Sequence, residues 1–200
     1  VSVIQTAEGA LNEAHEILQR MNELATQAAN DTNTTVDRTA IQNEIDALTS
    51  ELDRIASTTQ FNKMNLLDGN FTGKNLQVGA VAGQAIGLSI GGMDSTTLAV
   101  NGLTVDSFTT AGSAMTKVQA AIDKVSSQRS ALGAVQNRLE HTIKNLDTTA
   151  ENTQAAESRI RDTDMAAEMV AYSKNQILMQ AGQSMLAQAN QQTQGVLSLL

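Results

Sequence analysis

The 200-residue sequence has no cysteine, no proline and no tryptophan, and it contains only one tyrosine and three phenylalanines. The lack of cysteine excludes disulfide bonds, thiolate catalysis and cysteine metal ligands. The lack of proline leaves long helices uninterrupted. Because large aromatic side chains are so few, a thick globular core is not expected. The apolar residues are mainly Ala, Leu, Ile, Val and Met, which fill narrow seams between helices.

The sequence also lacks a clustered basic face. Its formal net charge is −8, and its Lys and Arg residues are scattered. Sequence-independent binding to nucleic acid or to anionic membranes needs clustered basic residues, so neither partner is expected. No stretch reaches the roughly 20 mostly apolar residues of a membrane span. No signal peptide is visible, and since Val1 already lies inside a helical pattern, we expect a fragment of a longer protein.

The stretch 113–160 carries an apolar residue at almost every seventh position, which predicts a coiled-coil-like rod helix. At roughly 1.5 Å per residue this helix is about 70 Å long. A second, weaker column lies four residues after the first, at Ile122, Ile143 and Ala150. The predicted rod seam, interrupted at Thr153, consists of Val118, Val125, Leu132, Leu139, Leu146 and Ile160.

Two shorter helices precede the rod helix. Apolar residues recur in steps of three and four over 1–29 and again from Ile41 to Ile55. The polar run 30–35 separates the two patterns, and Thr35 is the expected N-cap of the second helix. Helices joined by so short a segment fold back as a hairpin, and the rod helix supplies the partner for their apolar faces.

The period changes between Phe61 and Gly112. An Asp-Gly turn at 68–69 and the alternating segments 76–78 and 88–90 predict β-hairpins. The Thr/Ser-rich segment 95–112 is expected to form turns. After 161–164 a further helix begins, and its residues 175–200 include no charged side chain. An uncharged helix with many apolar residues is expected to be enclosed by protein in an assembly.

These patterns predict a mainly α fold: an elongated antiparallel helical bundle or coiled-coil rod with a small β-hairpin region at one end and a C-terminal helix. The expected divisions are the N-terminal rod helices at 1–60, a small β-hairpin region at 61–112, the long C-terminal rod helix at 113–161 and a C-terminal helix at 162–200.

No catalytic, metal or cofactor site is expected. His15 and Glu16 begin a segment that comes within one residue of the zinc-protease HExxH motif, but Gln19 replaces the second histidine. Two ligands do not hold a catalytic zinc ion. Asp162, Asp164 and Glu168 lack the glycine-containing loop of a calcium site and are better explained as charges at a helix start. We therefore expect no enzyme activity.

Several motifs carry a family resemblance. The N-terminal ones are IQTAEGAL at 4–11, ILQRMNELA at 17–25, QFN at 60–62 and LLDG at 66–69; the C-terminal ones are LGAVQNRLE at 132–140, AESRIRD at 156–162, MLAQAN at 185–190 and VLSLL at 196–200. In this order they resemble the two halves of bacterial flagellin. The resemblance implies a truncated, minimal flagellin, without the family's extreme N-terminal helix and with a minimal variable region, which is not expected to polymerise normally by itself.

The resemblance implies a structural subunit of the bacterial flagellar filament. Such subunits are secreted through the flagellar export apparatus and self-assemble outside the cell as a homopolymer used for motility. Two alternatives remain: a hook–filament junction protein, which shares similar terminal helices, and a helical-hairpin adaptor or signalling module. The uncharged tail argues against the second alternative, which predicts a solvated end.

The resemblance also implies host and bacterial partners. The positions that match contacts of the flagellin-sensing Toll-like receptor are Gln19, Arg20, Glu23, Leu24, Gln27 and Glu44, while Asn22 departs from the arginine common in the family. The helix around 170–200 matches the segment held by the flagellin export chaperone, and Leu197, Leu199 and Leu200 match leucines recognised by cytosolic inflammasome sensors. The predicted set for assembly, chaperone and inflammasome contacts is Ile177, Leu178, Met185, Leu186, Val196, Leu197, Leu199 and Leu200.

Overall fold

The computed structural model describes residues 1–162 and 164–197, with the side chains of 194, 196 and 197 excepted. The described part of the chain is mainly helical, with two small antiparallel strand pairs. The elements in order are α1 (Ser2–Ala28), α2 (Thr35–Thr58), β1 (Gln60–Phe61), β2 (Met64–Asn65), β3 (Lys74–Gln77), β4 (Ala85–Leu88), α3 (Ser95–Leu98), α4 (Phe108–Arg161) and α5 (Met165–Leu197). The predicted fold class is confirmed in these terms. The chain divides into two compact units, Val1–Asp147 and Thr148–Leu200.

Helix α1 provides one continuous apolar stripe to the core of the first unit. Its buried positions follow the three-and-four spacing that places side chains on one helical face. They are Ile4, Ala7, Leu11, Ala14, Leu18, Met21, Leu24, Ala25 and Ala28. Helix α1 packs against α2, which buries Ile41, Ile45, Leu52 and Ala56 in the same core. The predicted helical hairpin is therefore present.

The N-cap of α2 lies one residue before the predicted one. Thr34, and not Thr35, is the N-cap. The Asp37 backbone N–H donates to the Thr34 hydroxyl oxygen, and the Thr34 backbone N–H donates to the Asp37 carboxylate at 2.9 Å. This reciprocal pair is a capping box, and Asp37 three residues downstream selects Thr34 over its neighbour.

The predicted rod seam is buried only in its first part. Val118, Val125, Leu132 and Leu139 are at most 6% exposed, whereas Leu146 is 41% and Ile160 85% exposed. The assignment of Leu146 and Ile160 to a buried seam was therefore wrong for this chain.

The length of α1 explains where the buried seam ends. Arg38 donates hydrogen bonds to the Ala28 and Asp106 carbonyls, which places the end of α1 beside the start of α4. The two helices share a core, so α4 runs antiparallel to α1. From Ile4 to Ala28 the buried stripe extends roughly 36 Å at 1.5 Å per residue, and α4 extends a similar distance, roughly 42 Å, from Ala111 to Leu139. The buried seam on α4 is thus about as long as the α1 stripe.

The second column of the seam lies on the other side of the first. Ala114 and Ala121 are buried, whereas Ile143 and Ala150 are exposed, so the predicted second column was wrong at those two positions. Ile122 is only partly buried against the core. Small alanine side chains allow helices to approach closely, which explains why a column of alanines forms the seam.

The two strand pairs are antiparallel hairpins. β1 pairs with β2 through a two-residue turn, Asn62-Lys63, in which both residues have positive φ, as the tight turn type of two-residue hairpins requires. β3 pairs with β4 with Leu76 opposite Ile86. The strands thus lie slightly N-terminal to the predicted segments 76–78 and 88–90. The Asp-Gly turn exists, with Gly69 at φ 84°, but it joins β2 to β3 and is not a hairpin tip.

The connection from β4 to α4 runs along α2. Ser95 donates backbone and hydroxyl hydrogen bonds to the Asp53 carboxylate, at 2.7 and 2.9 Å. Further along, the Gln42 amide donates to the Leu103 carbonyl at 2.7 Å and accepts from the Val105 N–H at 2.9 Å. The expectation of turns across 95–112 was wrong at both ends, because α3 begins at Ser95 and α4 begins at Phe108.

The second unit contains the last part of α4 and all of α5. The Asp164 carboxylate accepts hydrogen bonds from the backbone N–H groups of Ala166 and Ala167, which stabilises the start of α5. This agrees with the interpretation of Asp164 and Glu168 as helix-start charges, whereas Asp162 follows the end of α4. Every residue of this unit whose burial is described is exposed.

Candidate functional site

The second unit presents a series of uncovered apolar side chains. Ile177 is 66% exposed, Leu178 58%, Met185 70% and Leu186 66%. We define these four residues as the tail surface. Of the remaining predicted contact residues, the side chains of Val196 and Leu197, and the whole of Leu199 and Leu200, lie outside the described residues.

The sequence interpretation missed further members of this apolar surface. Met165, Met169, Tyr172 and Met179 are all at least 60% exposed on α5. They recur at helical spacing, four, three and seven residues apart, and the same series leads on to Leu186. The spacing is visible in the sequence alone, so these residues could have been predicted as part of the apolar face of α5.

Within the described residues, no helix has both the length and the apolar character needed to cross a membrane.

A second candidate surface lies on the exposed sides of α1 and α2. The Arg20 guanidinium donates from Nε to the Glu44 carboxylate at 2.9 Å and from Nη1 to the Glu23 carboxylate at 3.1 Å. The hydrogen bond with Glu44, and after it the one with Glu23, raises the pKa of Arg20 above its usual value. Arg20 therefore links the two helices and remains charged at any physiological pH.

The other predicted receptor positions divide into exposed and buried residues. Gln19 and Gln27 are exposed, as are the three charged residues of the Arg20 network. Gln19, Arg20, Glu23, Gln27 and Glu44 together define what we call the polar helix surface. Leu24 is only 1% exposed and lies in the core of the first unit. Its side chain is unavailable to a partner in this fold, which corrects its assignment as a contact residue.

The segment 15–19, which nearly matches a zinc-protease motif, does not form a metal site in the described structure. The Gln19 amide nitrogen lies 3.0 Å from His15 Nε2, so the residue that replaces the second histidine contacts the first one. Within residues 1–162 and 164–197, no group of three or more His, Cys, Asp or Glu side chains is arranged to hold a metal ion.

Two family descriptions match the chain. The bacterial flagellin N-terminal helical region matches residues 1–72, and the bacterial flagellin C-terminal helical region matches residues 115–200. Among curated relatives, the flagellin of Halalkalibacterium halodurans is 53% identical over all of this chain and 74% of its own length. The flagellin of Bacillus subtilis is 49% identical over all of this chain and 77% of its own length. The flagellar filament 33 kDa core protein of Treponema phagedenis is 48% identical, with 76% of its length covered.

Comparison with a solved structure also shows a likeness to flagellin. The crystal structure of Bacillus cereus flagellin superposes with a TM-score of 0.65 at 33% identity, over 78% of this chain and 90% of that chain. The likeness therefore extends to the arrangement of the helices as well as to the sequence.

Long helices that leave many apolar side chains uncovered are typical of structural proteins that complete their packing in an assembly. The sequence matches and the fold identify which one: this chain belongs to the bacterial flagellin family. It is a structural subunit of the bacterial flagellar filament, a polymer of flagellin subunits. The predicted family and filament role are confirmed, and the relatives favour this role over the hook–filament junction protein and the helical-hairpin adaptor.

Proposed function

We propose that the tail surface mediates self-assembly by packing against neighbouring flagellin subunits in the filament. The exposure of Ile177, Leu178, Met185 and Leu186 carries this proposal. Covering such a side chain on assembly is worth about 1.5–3 kcal/mol, so a few of them per subunit contribute substantially to the stability of a polymer.

The absence of charge supports the same proposal. Residues 175–200 include no Asp, Glu, Lys or Arg. A helix that stays in contact with water has no need to exclude charge, whereas a buried charge without a partner is costly. The amide and hydroxyl side chains of this segment can exchange hydrogen bonds with other subunits. Val196, Leu197, Leu199 and Leu200 extend the proposed contact set toward the C-terminal end.

A charge placed within the tail surface tests the proposal. Ile177→Asp in the full-length protein should abolish filaments and swimming, because it places a carboxylate in the apolar contact. Val81→Asp is the matched control, since Val81 is 62% exposed in the β3–β4 loop of the first unit. Electron microscopy of the cell surface and a motility assay provide the measurement. Normal filaments from Ile177→Asp would overturn the proposal.

The same helix is our proposed binding segment for the flagellin export chaperone before secretion to the cell exterior. An exposed apolar helix needs protection before assembly, and one partner surface can be replaced by another. In co-purification with the chaperone, the chain shortened to residues 1–174 should lose binding, while the Val81→Asp variant should retain it. Equal recovery of the shortened and intact chains would exclude this segment.

The polar helix surface is our proposed contact for the flagellin-sensing Toll-like receptor. Arg20 supports the proposal because arginine is frequent among residues that dominate interfaces, and its network with Glu23 and Glu44 holds the guanidinium in place. Arg20→Ala should weaken binding to the receptor ectodomain. Arg54→Ala is the matched control, because Arg54 forms a comparable exposed ion pair with Glu51 on α2. Equal effects of both variants in a binding assay would contradict the proposal.

Recognition by cytosolic inflammasome sensors is proposed for Leu197, Leu199 and Leu200. Their replacement by alanine should reduce sensor activation in cells supplied with the protein, whereas Leu146→Ala in the first unit should not. A triple variant as active as the wild type would remove these leucines from the proposed site.

We propose the same four divisions as the sequence predicts, 1–60, 61–112, 113–161 and 162–200, as functional segments of the subunit.

The chain is proposed to have no enzymatic role. A metal-content assay that returned zinc near one ion per chain would contradict this second proposal.

A further inference from the structure

The connection between α3 and α4 contains an exposed asparagine followed by glycine. Asn101-Gly102 is the only Asn-Gly pair in the sequence. Both residues are exposed, and Gly102 has φ 61° in a turn. We propose that Asn101 is a site of spontaneous deamidation, at which the chain changes its own covalent structure with water as the only co-reactant.

The reaction uses two groups that adjoin in the sequence. The backbone nitrogen of Gly102 attacks the side-chain carbonyl carbon of Asn101, and its proton passes to solvent hydroxide. A new C–N bond closes a five-membered succinimide, the bond to the side-chain amide nitrogen breaks, and that nitrogen leaves as ammonia. Water then opens the ring at either carbonyl, which leaves aspartate or isoaspartate. The net change is hydrolysis of one amide, with no oxidation or reduction.

The residue after the asparagine decides how easily the ring closes. Glycine has no side chain to crowd the attacking nitrogen and moves freely between backbone conformations. A Cβ atom built on Gly102 would meet nothing within 4 Å, so the surroundings leave the turn room to rearrange.

The hydrogen bonding at this turn also leaves the reacting groups free. Among the residues that the structure describes, neither the Asn101 side chain nor the Gly102 N–H has a hydrogen-bond partner. Asn70 and Asn33 differ, because the Asn70 side chain donates to the Asp68 carboxylate and the Asn33 side chain to the Gln27 carbonyl. Asn101 therefore loses no protein hydrogen bond from its side chain when it reacts.

The product would disturb buried neighbours. Isoaspartate carries the main chain through its side-chain carbon, which adds a methylene to the backbone. Val100 and Leu103, on either side of the pair, are 0% and 4% exposed, and the Asn101 N–H donates to the Ser95 carbonyl at 3.2 Å. A longer backbone between two core side chains must shift at least one of them, and cores tolerate such shifts poorly.

Peptide mass spectrometry of the folded protein tests the site. The purified chain is incubated at mildly alkaline pH and neutral pH, and conversion is followed at Asn101 and at Asn137, an exposed asparagine on α4 that precedes Arg138. Conversion at Asn101 should be at least roughly tenfold faster, because arginine crowds the nitrogen and the helix fixes it. It should also be faster at the higher pH. Equal rates at the two asparagines, or an unchanged Asn101, would overturn the proposal.

Two variants separate the backbone change from the charge change. Asn101→Gln should stay unmodified at position 101, since its side chain would have to close a larger ring. Asn101→Asp introduces the charge without the longer backbone. Aged wild type that contains isoaspartate should melt at a lower temperature than Asn101→Gln aged in parallel and than freshly purified Asn101→Asp, because an aged Asp-Gly pair can close the same succinimide. Isoaspartate at 101 without any loss of melting temperature would contradict the structural consequence.

Discussion

Leu139 and Leu146 occupy equivalent heptad positions on α4 and differ in what covers them. Leu139 is 6% exposed in the core, whereas Leu146 is 41% exposed. A sequence pattern reports the identity of a residue and its position in the repeat, but it does not report where the partner helix ends. Comparing substitutions at the two leucines therefore measures how much the covering partner helix adds to the stability of the fold.

Leu139→Ala should lower the free energy of unfolding by roughly 2–5 kcal/mol, because it removes buried surface and leaves a cavity. Leu146→Ala is the matched control and should change it by less than about 1 kcal/mol, as for most exposed positions. Chemical denaturation of the two variants measures the difference. Equal losses would mean that Leu146 is covered in the isolated chain.

Asp37 supplies a pH-dependent contribution at the start of α2. Hydrogen bonds from the Thr34 hydroxyl, and after it from the Thr34 backbone N–H, lower the pKa of Asp37. A carboxylate whose pKa is lowered by folding stabilises the fold above its unfolded pKa, and this contribution is lost as the pH falls through the folded pKa.

The stability advantage of the wild type over Asp37→Asn should therefore be constant near neutral pH and shrink below about pH 4. Unfolding curves of both proteins across the acidic range test this, since the other carboxyl groups are common to both. An advantage that stays constant down to low pH would show that the Asp37 pKa is not lowered in the folded state.

Single elements divide into those that local sequence determines and those that tertiary contacts determine. The stripe of α1 was predictable because its apolar spacing is regular over its whole length. The shift of the α2 cap to Thr34 was also available in the sequence, since Thr34 and Asp37 form a capping box. The alanine column of α4 was not, because alanine alone does not distinguish a close helix contact from a solvent-exposed helical face.

Gln42 shows how an element is held by contacts that no local pattern reveals. Its side chain pairs with the Leu103 carbonyl and the Val105 N–H, more than 60 residues away in sequence. Leu103 and Val105 lie in the connection between α3 and α4, and both are buried.

Gln42→Ala should destabilise the first unit by about 1–3 kcal/mol, because it leaves two partly buried backbone groups without their partner. Asn43→Ala is the control on the same helix, since Asn43 is exposed. Thermal melts of both variants are sufficient for the comparison. A melting temperature for Gln42→Ala as high as that of the control would mean that water replaces the side chain without cost.

At the scale of the whole molecule, the first unit has an apolar core of its own, whereas the described side chains of the second unit remain exposed. The sequence indicated this division, because 175–200 has apolar residues without charge. It did not indicate that exposure begins already on α4, before α5. The polar positions of the proposed receptor surface are exposed, as a contact surface requires. Leu24 is buried instead, since an apolar residue within a helix can belong either to the core or to an interface.

Hydrogen–deuterium exchange of the backbone amides of α5 tests the central claim most directly, that this helix completes its packing against other subunits. We predict rapid exchange over Met165–Leu197 in dispersed subunits and strong protection in assembled filaments, with the α1 amides protected in both states. Equal exchange of α5 before and after assembly would contradict the claim.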